Sequence, residues 1–228
     1  MPTPTKLLNE DGSASMATML LLSHHAFRRD MARFLTAIEH MIAGDHSRDE
    51  AVQAEWKTSF CTALHGHHAA EDTHIFPDIR KNHPELSAAL DTLTEQHHHI
   101  DPVLEQGNAA FADLAHPEKA QAVMQELKIL LDEHLAFEEA EITPTLRSGK
   151  DFPQPADEAA AAMYAQGFAW SMHGIAPSVV EHVTKLLPDI LTSKLPAARD
   201  EFEKKCARVW GTYAVGEATT SVPDEYIS

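Results

Sequence analysis

Cysteine is scarce. The two cysteines, Cys61 and Cys206, form no CxxC pair, which argues against a disulfide scaffold or a thiolate zinc site and for a reducing, cytoplasmic setting. Glycine is scarce as well: nine in 228 residues, with hardly any alternating β-branched stretches, leave an all-α fold as the expectation. Basic residues are in deficit, 18 against 35 acidic ones, for a formal charge of −17. Such a surface repels phosphate backbones and anionic lipid, so neither nucleic acid nor a membrane is an expected partner. Long apolar runs are missing too. MATMLLL (16–22) follows Glu10 and Asp11, has no basic leader and runs straight into His24 and His25, so it reads as neither a signal peptide nor a span. No phosphate loop, dinucleotide fingerprint or evident Ser-His-Asp set is present.

What the chain does have is helical periodicity. Met16, Leu20, Phe27, Met31, Phe34, Ile38 and Met41 fall at steps of three, four and seven, one stripe of a long helix capped by Ser13 or Ser15 and stopped by Gly44. A second helix is expected from about 49 to 82, a third from Pro84 to about Leu114 with a bend at Pro102, and a fourth from Pro117 to about Leu146. Four such helices joined by short turns read as an up-down-up-down bundle. The expected organisation is a tail over 1–15, the bundle over 16–147, a helical extension over 148–213 and a flexible tail over 214–228. In the extension, Tyr164, Phe168 and Trp170 sit at helical spacing; packing onto a core is favoured over a lid.

Histidine is abundant, 16 residues, and its placement is not random. HHAAEDTHIFP (67–77) recurs as HLAFEEAEITP (134–144), both fitting H-x-x-x-E-[DE]-x-x-I-x-P. Each copy follows a helix with a histidine and an apolar residue three on: His24 with Phe27, His97 with Ile100. At ~1.5 Å of rise per residue, His24, His67, His97 and His134 fall within about one turn of a common level in an antiparallel bundle. Positions four apart share a face, so His67 with Glu71 and His134 with Glu138 point inward together. Burying six polar side chains at one level costs on the order of several kcal/mol unless something satisfies them. A metal does. Imidazole and carboxylate without thiolate suit iron, manganese or zinc, and six groups exceed what one tetrahedral zinc takes. Two ions bridged by Glu71 and Glu138 use the set economically, and iron is favoured because four histidines keep the pair less anionic. His74, seven after His67, and its counterpart Glu141 are further candidates. His25, His68, His98 and His99 lie roughly 100° or 200° off the inward face, and most are expected to be solvated.

This pattern, H…HxxxE…H…HxxxE over roughly residues 16–147, resembles the hemerythrin family, bacterial hemerythrin-like proteins with the HHE cation-binding domain. The resemblance implies that His24, His67, Glu71, His97, His134 and Glu138 hold two non-haem iron ions, with the glutamates as bridges. Two departures stand out. The invertebrate oxygen carriers place a second ligand four residues after the histidine of the third helix, where this chain has Asp101. They also place the last carboxylate five after its histidine, which here is Glu139; the internal repeat instead aligns Glu138 with Glu71. Fewer histidines on one iron open a position for an outside ligand. The expected function is therefore binding of O2, peroxide or NO at the bundle centre. It leans to peroxide or oxygen-stress chemistry of a catalase-like kind, because nothing after residue 147 resembles a signal-output module. Reversible O2 or NO binding or sensing is the alternative within that class, and a zinc- or manganese-bound structural bundle the alternative outside it.

Overall fold

The computed structural model describes residues 7–148, 154–211, 213, 222 and 226. The fold is all-helical, and no strand occurs among the described residues. Helix α1 (Met16–Ile42) follows Ser15, whose backbone N–H donates to the Thr18 hydroxyl at 3.1 Å. Of its expected stripe, Leu20, Phe27, Met31, Phe34, Ile38 and Met41 are buried, and Met16 at the first position is half-buried. Gly44 stops it in the left-handed region at φ +95°, its N–H donating to the Met41 carbonyl, a conformation costly for any residue with a Cβ.

Residues 49–82 form one helical run of mixed pitch. It comprises α2 (Asp49–Glu55), a π turn (Trp56–Phe60), α3 (Cys61–Ala70), a second π turn (Glu71–Ile75) and α4 (Phe76–Asn82). Pro77 lies inside this run, and α4 continues past it. A proline has no N–H to give and its ring crowds the carbonyl four residues back; the wider turn just before it relieves that crowding. A single 3₁₀ turn (Pro84–Leu86) then leads into α5 (Ser87–Phe111), which runs through Pro102, and α6 (Pro117–Glu141) follows. The later helices are α7 (Thr143–Leu146), α8 (Glu158–Ser171), α9 (Pro177–Lys185), α10 (Asp189–Thr192) and α11 (Leu195–Val209). Asp157 caps α8 by accepting from the Ala160 N–H at 2.8 Å. Among the described residues no helix is long and apolar enough to cross a membrane.

The chain divides into two compact units, and the division passes through α1 between Ala26 and Phe27. One unit comprises residues 1–26, 142–208 and 219–228. Its core gathers Leu7, Leu21, Leu22, Phe168, Leu191 and Val222, with Tyr164 and Trp170 packed against it. The N-terminal segment was expected to be a loose tail, but Leu7 is fully buried, and Arg147 donates to the Leu8 carbonyl and to Asn9 Oδ1. Apolar burial of about 25 cal/mol per Å² is reason enough for such a segment to dock. Of the expected flexible tail over 214–228, Val222 is buried; all but Val222 and Tyr226 lie outside the described residues.

The other unit comprises residues 27–141 and 209–218. At one level of its core Phe34 meets Trp56, Phe60, Phe111 and Trp210 edge-on, at centroid distances of 5.0 to 5.7 Å. Trp56 stacks on Phe111 at 4.4 Å. Gly107 makes this possible, because a Cβ there would stand 2.1 Å from the Trp56 ring.

Candidate metal centre

Within this second unit the side chains of α3, α5, α6 and the π turn between α3 and α4 converge on two adjacent groups of donor atoms. In one, His67, Glu71 and Glu138 bring ligand atoms within 4.8 Å of one another. In the other, His68, His97 and His134 do the same. All of these are buried except His67, whose side chain is 14% exposed. Glu71 belongs to the first group and reaches toward the second. Its Oε1 lies 3.0 Å from His67 Nε2 and its Oε2 lies 3.4 Å from His97 Nε2. His24 is fully buried on α1, one turn ahead of Phe27, whose ring packs on that of His67 at 5.3 Å.

The outer faces of the imidazoles are held differently. His97 Nδ1 lies 3.0 Å from Asp72 Oδ2, and the Thr94 hydroxyl donates to the other Asp72 oxygen at 3.2 Å. His134 Nδ1 lies 3.1 Å from Gln96 Oε1. Both contacts suit an Nδ1–H donor and turn Nε2 inward. Burial works against charge on His97, but its bonds to Glu71 and Asp72 outweigh that and lift its pKa above the ordinary imidazole value. His68 is the contrary case. Burial, then the neighbouring His97, His67 and His134, press its pKa far down, so the ring is neutral. It stacks on His97 at 4.0 Å, and neither of its buried ring nitrogens has a hydrogen-bond partner among the described residues.

That orphaned imidazole tests whether a metal fits. Leaving one buried polar group unsatisfied costs about 1–3 kcal/mol, and a cation satisfies a neutral imidazole lone pair directly. Imidazole and carboxylate oxygens, without thiolate, form a donor set suited to iron, manganese or zinc. The residues present fit a metal cation.

Several expectations need correction. His68 was read as solvated and is buried among the donors. The repeat itself held the signal: His68 aligns with Leu135, an apolar stripe residue that is fully buried, so the position one after each repeat histidine faces inward. His25 is also buried, with Nε2 3.3 Å from the His173 carbonyl oxygen. His74 and Glu141 are exposed and stand outside both groups. A π turn holds more residues than an α turn, so the phase slips across Glu71–Ile75 and His74 rotates off the face His67 occupies. Glu141 closes α6. Glu139 is not among the donors; it accepts from Arg28 Nη1 at 2.6 Å, both side chains being 6% exposed. Asp101, at the place of the carriers' second ligand on this helix, is exposed beside His65. The third imidazole of its group comes from α3 instead. His98 and His99 are exposed, as their angular positions require.

An all-helical chain that gathers imidazoles and carboxylates into two adjacent groups has the makings of a metal-binding helical protein. Residues 15–146 match the hemerythrin HHE cation binding domain, and the chain belongs to that family. Comparison with characterised proteins gives no match, and comparison with solved structures gives none either.

Proposed function

We propose that this chain is a non-haem di-iron protein that binds O2, peroxide or NO, and that peroxide consumption is its chemistry. The observation that carries the dinuclear reading is Glu71, whose two oxygens each face a different donor group, Oε1 toward His67 and Oε2 toward His97. On this reading His67, Glu71 and Glu138 would hold one ion, and His68, His97 and His134, with Glu71 reaching across, would hold the other. The four long helical stretches, α1, the run over 49–82, α5 and α6, form an up-down-up-down bundle around them.

When bound, the metal pair supplies the electrons exchanged with the small ligand. The chain's own residues do the rest. Phe27 against His67 and Phe76 against His97, at ring distances of 5.3 and 5.7 Å, fix the two imidazoles and exclude water from their edges. Nδ1 contacts to Asp72 and Gln96 orient the two rings with Nε2 inward. Two carboxylates among neutral imidazoles leave a small net negative charge, which suits cycling between two cationic oxidation states. The groups are unequal, one of three imidazoles and one mixing imidazole with carboxylate, and that inequality supports ligand entry at the mixed group.

The test is metal analysis and an optical spectrum on one purified sample, followed by peroxide addition with an oxygen electrode. Two irons per chain, a charge-transfer band and sustained oxygen release are expected. A stable spectral change without turnover would replace peroxide consumption by reversible binding or sensing. A colourless zinc- or manganese-loaded chain would remove the iron reading and leave a structural bundle.

A further inference from the structure

The acidic residue that follows each repeat glutamate is the same kind of group put to two uses. In the second copy Glu139 takes Arg28, a cation, and is thereby neutralised. In the first copy Asp72 sits inside the π turn and reaches α5, where it takes the Thr94 hydroxyl on one oxygen and the ring of a donor histidine, His97, on the other. The π turn is what allows consecutive residues to serve both ends: Glu71 is buried at the donors, while Asp72 is one-third exposed at their outer edge. In the same group His134 turns its Nδ1 to the neutral amide oxygen of Gln96, 3.1 Å away.

We propose that Asp72 is the positioning residue of the three-histidine group: through His97 Nδ1–H it fixes that ring's tautomer and plane and increases the electron donation of Nε2 to the metal, with Gln96 as its weaker, uncharged counterpart on His134. This rests on the dinuclear reading above. A carboxylate on the far nitrogen of a ligating imidazole stabilises the more positive metal state; an amide oxygen orients the ring without adding charge. The two residues therefore divide the work, Asp72 setting charge and direction, Gln96 direction alone.

The experiment compares wild type with Asp72→Ala, Asp72→Asn and Gln96→Glu. Ferrous iron titrated into the metal-free chains gives affinity, redox titration of the loaded chains gives potential, and ¹⁵N imidazole spectra of the metal-free chains give the His97 tautomer. Asp72→Ala should weaken iron binding by about 10- to 100-fold and lose the single Nδ1–H tautomer. Asp72→Asn keeps an acceptor oxygen, so affinity and tautomer should largely return while the potential rises. Gln96→Glu should lower the potential. A residue that merely holds α5 in place would not move the potential in opposite directions at the two sites. With two irons bound in wild type, unchanged affinity and potential in all three variants would overturn the inference and leave the dinuclear reading standing. A wild-type chain that takes up no metal pair would overturn both.

Discussion

The segments over 67–77 and 134–144 share their spacing residue for residue, yet one delivers three inward donors and the other two. The first supplies His67, His68 and Glu71; the second supplies His134 and Glu138, with Leu135 buried where the first has His68. Their continuations differ as well. The first passes through a π turn and stays helical to Asn82, whereas the second leaves the α-helix at Ile142 before the short α7. Spacing fixes the level and the face at which a side chain enters the core. The residue type at the intervening positions then decides whether that entry is a ligand or a packing contact. A near-symmetric sequence thus yields an asymmetric centre, with imidazoles concentrated on one side and carboxylate on the other.

The largest effect should come from removing what the two sides share. Glu71→Ala takes away a carboxylate whose two oxygens face both groups. On the proposed dinuclear reading, metal content after dialysis should fall from two ions per chain to one or none. By contrast, His134→Ala touches the three-histidine group alone and should cost one ion. Two ions retained in either variant would refute the assignment of that residue. Next in size is the Arg28–Glu139 pair, the second copy's counterpart of the Asp72 contact. Arg28→Ala leaves a buried carboxylate without its nearest cation, and chemical denaturation should register a loss of about 3–5 kcal/mol. Arg28→Met with Glu139→Leu should recover most of it, since the charges are removed together.

Much of this could be read before the fold was known. The stripe of α1, the Gly44 stop and the paired H-x-x-x-E segments follow from periodicity and turn chemistry, because helical geometry maps sequence spacing directly onto a face. His68 was not legible in the same way. A position one residue from a ligand points about 100° away on a narrow stripe, and only the comparison with Leu135 shows that the inward face is broader here. His74 was misplaced for a different reason. The π turn over 71–75 depends on how Pro77 and the site are accommodated together, which no fixed period of 3.6 anticipates. Leu7 illustrates a third limit: a short apolar pair, Leu7 and Leu8, in a polar segment acquires a place only when a distant part of the chain, here α8 to α11, builds the core that receives it.

The comparison of His68 with Leu135 can be made directly by His68→Leu. The metal-free variant should be more stable than metal-free wild type by about 1–3 kcal/mol, since a buried imidazole without hydrogen bonds is replaced by a hydrocarbon, while the loaded variant should lose the ion of the three-histidine group. The pH dependence carries its own sign. Unfolded, His68 takes up a proton below about 6.5; folded, its depressed pKa keeps it neutral. Metal-free wild type therefore loses stability as pH falls below that value, by up to about 1.4 kcal/mol per pH unit from this group. The raised pKa of His97 works the other way, adding stability in acid that disappears as pH rises through its folded value. His68→Leu removes the His68 contribution together with its coupling to the stacked His97 ring, and the acid limb of the melting-temperature profile should be shallower in that variant.

The smallest effect is expected at the histidines that flank His97 on its outer side. His98 and His99 are exposed, and His99 lies 3.4 Å from Glu95 in a surface pair. Contacts of that kind contribute about 0–1 kcal/mol. His98→Ala and His99→Ala should keep both ions and shift stability by no more than about 0.5 kcal/mol. The pair of variants matters because three consecutive histidines on α5 could each be offered as the donor. Loss of an ion from either one would mean that α5 presents a different face to the centre, and Asp72 would then lie against the wrong ring. Unchanged metal content in both, beside loss in His97→Ala, fixes the facing of α5 by chemistry alone.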